Sequence, residues 1–335
     1  MKRILTLFLT LALILSLAAC AAPGEKADDG KLQIVATLFP YYDFARAIAG
    51  GRADVTLLLS PGREAHSFEP TPLDAVTISE ADVFLYNGGE GEYWVEEMLD
   101  AAGEHIAVKA RMMDYVDALG EEFSEGMQGA DEHDHDHDHD HGHGEHDHES
   151  GEEHDSDEIE YDEHIWTSPK NAAILCRAVC EAICRADAEN ADFYRANCED
   201  YCAQLEALDA RFSALCESAP RKLLVFADRF PMLYFCREYG LDYRAAFHGC
   251  SGDTEPSLAT IKFLIDKVED ENIPVVYTID FGTKKVAAVV SECTGAAIET
   301  IYSMQTVSRA DFDAGETYLT LMERNYEALR KGLNE

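Results

Sequence analysis

Positive charge is what this 335-residue chain has least of: 27 Lys and Arg stand against 65 Asp and Glu, a formal net charge of −38. A surface of that sign repels a polyphosphate, which excludes nucleic acid as a partner. Long apolar runs are missing beyond residue 20; a membrane-spanning helix needs about 20 such residues. Catalytic signatures are missing too. There is no H-E-x-x-H, and the glycines of GGEGEYW form neither G-x-G-x-x-G nor a phosphate loop with a Lys. Cysteine is absent between Cys20 and Cys176. The hydrophobic share of 47% is ordinary for a folded protein, so these absences do not describe a disordered chain.

What is present starts at the N-terminus. Lys2 and Arg3 precede an apolar run from Ile4 to Leu17, and LAAC (Leu17 to Cys20) follows. That is the pattern of a secretory signal peptide. A small-residue site ending in Cys resembles the bacterial lipoprotein signal, whose Cys is lipidated after cleavage. Residues 1–20 are therefore expected to be a lipoprotein signal peptide and 21–30 (AAPGEKADDG) a tether. The body is expected to be extracytoplasmic, held at the outer face of a bacterial cell membrane only by a lipid on Cys20.

Some 315 mature residues exceed what one core usually holds, and two domains are expected. From residue 31, β-branched runs alternate with helical patterns: LQIVATLF, DVTLLL, DVFLYNG and HIAVKA read as strands, with helices between them. A second set begins near residue 221 with LLVFAD, LDYRAAF, PVVYTID and AAIETIYS. Alternation of this kind predicts mainly parallel sheets flanked by helices. The expected architecture is two α/β lobes, 31–189 and 219–335, with a ligand cleft between them. The apolar spacing of Phe193, Tyr201, Leu205, Leu208, Phe212 and Leu215 predicts one helix over 190–218, with Asn190 as N-cap. At 1.5 Å per residue it is a stiff rod of roughly 40 Å, long enough to span both lobes and limit hinge motion.

Nine of the thirteen histidines fall in residues 131–155: His133, His135, His137, His139, His141, His143, His146, His148 and His154. Seventeen acids and no base occupy residues 131–163. That composition cannot bury a core, so a disordered loop over 121–160 is expected. Its imidazoles suit several weak, fast-exchanging metal contacts that weaken as His protonates below about pH 6.5. Cys176, Cys180 and Cys184 recur every four residues, as do Cys198 and Cys202. Packing as small hydrophobes is the first reading, with helix-to-helix disulfides and a thiolate metal site as alternatives.

Outside the loop, His66 follows the strand 54–59, His164 precedes a helix opening at Pro169, and His248 follows the strand 241–247. His105 opens a strand and is read as structural. Loops at the carboxyl ends of parallel strands line ligand crevices, and histidines from two lobes converging there would suit Zn²⁺. Each needs an acid to hold its second nitrogen; Glu64, Asp162 and Glu163 are near in sequence.

The stretch GREAHSFEPTPLDAVTISEADVFLYNGGEGEYWVEEML, with YDEHIWTSPKNA, resembles the motif regions of the zinc-uptake receptor family, zinc- and manganese-binding solute receptors of ABC transporters. The resemblance places metal ligands on His66 and His164. It implies a monomeric binding protein rather than an enzyme, with Zn²⁺ as cargo and Mn²⁺ or Fe²⁺ as the alternative. It also implies delivery to a permease driven by a cytoplasmic ATPase, with the His-rich loop as accessory metal capture. A cell-surface zinc metalloenzyme is a second alternative, and a cell-surface adhesion protein on the same fold a third. The family's third ligand, a strand-end His or Glu, corresponds to Ala227 here; Asp228 or His248 is expected to substitute. The family's late acid has no direct counterpart, and Asp280, with Glu255 behind it, is the candidate.

Overall fold

The computed structural model describes residues 30–65, 68–102, 106–128, 160–251 and 255–334. Four strands form the first sheet: β1 (Leu32–Ala36), β2 (Ala53–Leu57), β3 (Val83–Tyr86) and β4 (Val108–Arg111), in the order β2-β1-β3-β4. Four more form the second: β5 (Leu223–Phe230), β6 (Asp242–His248), β7 (Val275–Ile279) and β8 (Ala297–Ile301), in the order β6-β5-β7-β8. Every pairing is parallel. The inner strand β7 (VVYTI) is buried at every residue, whereas the edge strand β2 alternates buried or half-buried with exposed. That contrast is what covering both faces of a parallel sheet requires. In each sheet the strand order reverses direction, between β1 and β3 and between β5 and β7. The carboxyl ends at those points are where open α/β sheets hold ligands.

Helices α1 (Phe39–Ala49), α2 (Pro72–Ser79), α3 (Trp94–Ala102) and α4 (Pro169–Ala186) come first in the chain. The long α5 (Ala191–Ser218) is followed by α6 (Leu233–Tyr239), α7 (Leu258–Asp270), α8 (Lys285–Thr294), α9 (Arg309–Ala314) and α10 (Tyr318–Asn334). Their ends follow local chemistry. Thr71 and Asp74 form a capping box ahead of Pro72, and Ser168 accepts the Asn171 N–H ahead of Pro169. Asn190 occupies the position before α5 but does not cap it. Its amide donates to Asp187 Oδ2 at 2.7 Å, drawn away by a short 3₁₀ turn over Ala188–Asn190.

The 28 residues of α5 span about 42 Å. Near its start Asn197 Nδ2 donates to Ile48 O (2.9 Å) and Tyr201 Oη donates to Asp43 Oδ2 (2.7 Å), both on α1. Near its end Asp209 accepts from Tyr239 (2.7 Å), and fully buried Phe212 meets the rings of Phe235 and Tyr326 at 4.9 and 5.3 Å. One rod therefore packs into both lobes. A second tie is Trp166, whose Nε1 donates to Ser303 O at 2.8 Å while its carbonyl accepts from Tyr318 Oη at 2.7 Å.

Residues 121–128 correct the expected extent of a structureless loop. Gly120 bridges antiparallel to Tyr161, and Glu121 N–H donates to Glu160 O at 2.8 Å. The stem then runs along the second lobe. Glu122 pairs with Arg237, Met127 is buried, and the Gln128 N–H donates to Ala246 O at 3.0 Å. The acids here find cations, and one apolar side chain finds cover, so the segment packs. No helix among the described residues is long and apolar enough to cross a membrane.

Candidate metal site in the interlobe cleft

His164 sits where the two sheets' carboxyl ends meet. It is buried and opens the 3₁₀ turn Ile165–Thr167. Asp162 Oδ1 accepts the His164 backbone N–H at 2.7 Å and lies 3.2 Å from the ring Nδ1. A carboxylate so placed favours the tautomer with its proton on Nδ1, in which Nε2 carries the lone pair that can bind a metal. Burial lowers the His164 pKa, but the charge and hydrogen bond of Asp162, with Glu121 and Glu163, outweigh it and hold the imidazole above its ordinary value. Asp162 is itself steadied by Tyr234, whose hydroxyl donates to its carbonyl at 2.8 Å.

The second lobe closes on the ring through Gly249. A Cβ there would stand 3.1 Å from His164 Nδ1 and Cε1 and 2.9 Å from Phe230 O. Only a glycine lets the end of β6 approach the imidazole so closely. A cavity of about 20 Å³ lies beside the ring, lined by Glu64, His164, Arg229, Gly249, Phe281 and Ser303 among others. Glu64, from the loop after β2, is ion-paired with buried Arg229 at the end of β5, so the cavity is bridged by charge across the lobes.

The other expected ligands divide. Asp280 follows β7 between two cavity-lining residues, and its Oδ1 accepts the Ser303 N–H at 3.2 Å. Burial pushes its carboxyl up to about 6 against those hydrogen bonds. It does not cap α8, whose preceding residue is Lys284. Asp228 is engaged with β7: Oδ2 accepts from Thr278 Oγ1 at 2.6 Å and from the Ile279 N–H at 3.3 Å. The carboxylate also lies against Gly282, where a Cβ would fall 1.8 Å from Oδ2. His248 ends β6 with Nδ1 3.6 Å from Glu121 Oε1 and its ring 5.0 Å from that of Phe123, at the stem of the His-rich segment. Glu121 hydrogen-bonding holds its pKa above the ordinary imidazole value. Glu255 is exposed and pairs with Lys285 at 3.5 Å. Ala227, at the place of the family's third ligand, is buried. His66, His105 and the nine histidines of residues 131–155 lie outside the described residues.

Of the three acids near in sequence to the histidines, Asp162 is the one seen to support a ring nitrogen among the described residues. Glu163 instead accepts the Gly91 N–H at 2.7 Å, and Glu64 turns to Arg229. Sequence reasoning missed Arg229, Glu121 and Cys250. Cys250 follows Gly249, and its N–H donates to Glu121 Oε1 at 3.2 Å. All three act through contacts between segments more than a hundred residues apart, which no local pattern displays.

Residues 34–332 match the family described as zinc-uptake complex component A, periplasmic. The high-affinity zinc uptake system protein ZnuA of Bacillus subtilis (strain 168) is 31% identical over 331 residues, 98% of this chain and 97% of that protein. The zinc-binding lipoprotein AdcA of Streptococcus pneumoniae (strain ATCC BAA-334 / TIGR4) is 29% identical over 99% of this chain and 61% of its own length. Among solved structures, the Zn(II)-bound ZnuA-like domain of S. pneumoniae AdcA superposes with a TM-score of 0.71 at 25% identity. That match covers 91% of this chain and all of the domain.

Proposed function

Since the chain belongs to the family of periplasmic zinc-uptake component A proteins, we propose that it captures Zn²⁺ in the interlobe cleft and delivers it to an ABC transporter permease. A cytoplasmic ATPase would power that import. Family members are substrate-binding receptors, and catalysis forms no part of the role. The observation that carries the reading is the buried His164, its Nδ1 held by Asp162 and its ring facing a cavity shared by both lobes. The motif that carries His66 makes it the second imidazole ligand, and Asp280, which stands between two cavity-lining residues, is the carboxylate the second lobe would offer. A water completes a four-coordinate ion. Asp228 is tied to β7 and serves the backbone that positions this end of the sheet.

A lipid on Cys20 keeps the receptor beside its permease. The His-rich segment gathers zinc and passes it inward. Its stem bears on both lobes, and Glu121 meets His248 one residue from the glycine that touches His164. His248 is in this reading a way-station rather than a cleft ligand.

Calorimetric titration with Zn²⁺ and Mn²⁺ tests the proposal, using the intact chain, a chain lacking 131–155, and His164→Ala. One tight zinc site that survives the deletion, prefers Zn²⁺ and disappears with His164→Ala is expected. Loss of all tight binding on deletion would move the receptor site to the loop and overturn the cleft reading.

A further inference from the structure

Helices α4 and α5 form an antiparallel hairpin joined at residues 187–190, and both cysteine stripes face its seam. Cys176, Cys180 and Cys184 lie on α4, and Cys198 and Cys202 on α5. All five are buried free thiols. The sulfurs of Cys176, Cys198 and Cys202 lie within 4.8 Å of one another, the one such trio of metal donors among the described residues. Cys198 and Cys202 Sγ are 3.8 Å apart, and Cys180 and Cys184 Sγ 3.9 Å.

We propose that Cys176, Cys198 and Cys202, with Cys180 beside them, form a second metal site, for a thiophilic closed-shell cation such as Zn²⁺, Cd²⁺ or Cu⁺. Three arguments favour this over simple core packing. Zn–S bonds of about 2.3 Å in a tetrahedral site set sulfur–sulfur edges of about 3.8 Å, and the Cys198–Cys202 separation already has that value. Closing the trio needs side-chain adjustments of about 1 Å on two helices that are held together. The second argument is space. A core seam is filled, but this one opens into a cavity of about 390 Å³ floored by Cys180, Cys184, Cys198 and Cys202. The cavity gives an ion both an entrance and room for an exogenous fourth ligand. The third is charge. Three thiolates and a divalent cation carry a net negative charge, and two guanidinium groups, Arg195 and Arg177, line the same cavity, the latter also paired with Glu206.

Binding replaces three S–H bonds by three S–metal bonds and releases three protons, with no change of oxidation state. The bound ion would clamp α4 to α5, and through α5 stiffen the rod that both lobes share.

Cd²⁺ titration of the reduced full-length protein under anaerobic conditions tests the site without silencing the cleft, because imidazole and carboxylate ligands give no thiolate-to-cadmium charge-transfer absorption. One equivalent of near-ultraviolet absorption is expected. It should be lost in Cys198→Ser and in Cys202→Ala and kept in Cys293→Ser, whose thiol is exposed elsewhere. Alkylation of the wild-type protein with mass-spectrometric mapping gives an independent readout should a variant misfold. Cadmium is expected to protect Cys176, Cys198 and Cys202. No absorption, absorption untouched by both seam substitutions, or protection of other thiols would overturn the proposal. So would a Cys176–Cys198 disulfide whose reduction restores no metal binding.

Discussion

Arg229 of the second lobe is ion-paired with Glu64 of the first, and both line the cavity beside His164. A fixed guanidinium next to a cation site opposes capture, and Glu64 offsets it only while the pair is intact. Zinc must therefore compete with Arg229 for the electrostatics of the cleft. Replacing Arg229 by Gln should tighten Zn²⁺ binding by about tenfold, roughly 1.4 kcal/mol. Calorimetry on the two proteins decides the matter, and equal or weaker binding by the variant would show that the pair is a strut alone.

Asp162 is expected to act on affinity through His164. Asp162→Asn removes the negative acceptor that selects the Nδ1–H tautomer. Loss of such supporting carboxylates costs roughly 10- to 100-fold in metal affinity. The fold should tolerate the change, so circular dichroism should match wild type while the zinc Kd rises. An unchanged Kd would remove Nε2 of His164 from the ligand set.

Glu92 supplies a pH dependence away from the metal. Burial, aided by the Glu163 charge, raises its carboxyl to about 7, although the Gly88 N–H at 2.9 Å works the other way. A carboxyl with a folded pKa above its unfolded one holds more protons in the native chain. Its contribution to stability is thus complete below the ordinary Glu range and is lost as pH rises to about 7. Glu92→Gln should be more stable than wild type at pH 8 by up to ~3 kcal/mol, at 1.36 kcal/mol per pH unit. The gap should close near pH 4. Urea unfolding at the two pH values measures it, and a pH-independent gap would contradict the assignment.

Asp43 joins three helices. Its Oδ2 accepts from Tyr201 Oη on α5 at 2.7 Å and from the Tyr318 N–H at the start of α10 at 2.9 Å. Asp43→Ala strands two buried donors, each costing about 1–3 kcal/mol. Destabilisation of roughly 2–5 kcal/mol in urea unfolding is expected, and a loss below about 1 kcal/mol would mean that water replaces the carboxylate.

Much of the framework was legible because it rests on short-range chemistry. The strand runs reappear within a few residues, LQIVATLF shortened to Leu32–Ala36 because Phe39 already begins α1. Gly50, left-handed at φ 54°, ends α1 as glycines commonly end helices. The rod predicted over 190–218 is Ala191–Ser218. Helix α9 (RADFDA) was not legible, being too short to show an apolar period; Ser308 holds it by accepting the Asp311 N–H at 3.0 Å. Residues 121–128 read as acidic and solvated because their partners Arg237, Arg244 and Ala246 are over a hundred residues away. At the site, YDEHIW marked His164 through its own neighbours, whereas the Glu64–Arg229 pair spans 165 positions and leaves no local trace. The cysteine stripes were visible, but that two stripes face one another is a property of the hairpin alone.

The smallness of the cleft has a further effect, on hydration. A cavity of about 20 Å³ admits a body of one water's size. An ion can settle beside His164 only after shedding most of its hydration shell. Mg²⁺ gives up its waters reluctantly and demands six ligands near 2.0–2.1 Å, and Ca²⁺ gathers about 6–8 oxygens. Zn²⁺ is content with about four ligands. The cleft thus sorts cations by what they must leave behind at its mouth, before any side chain touches them.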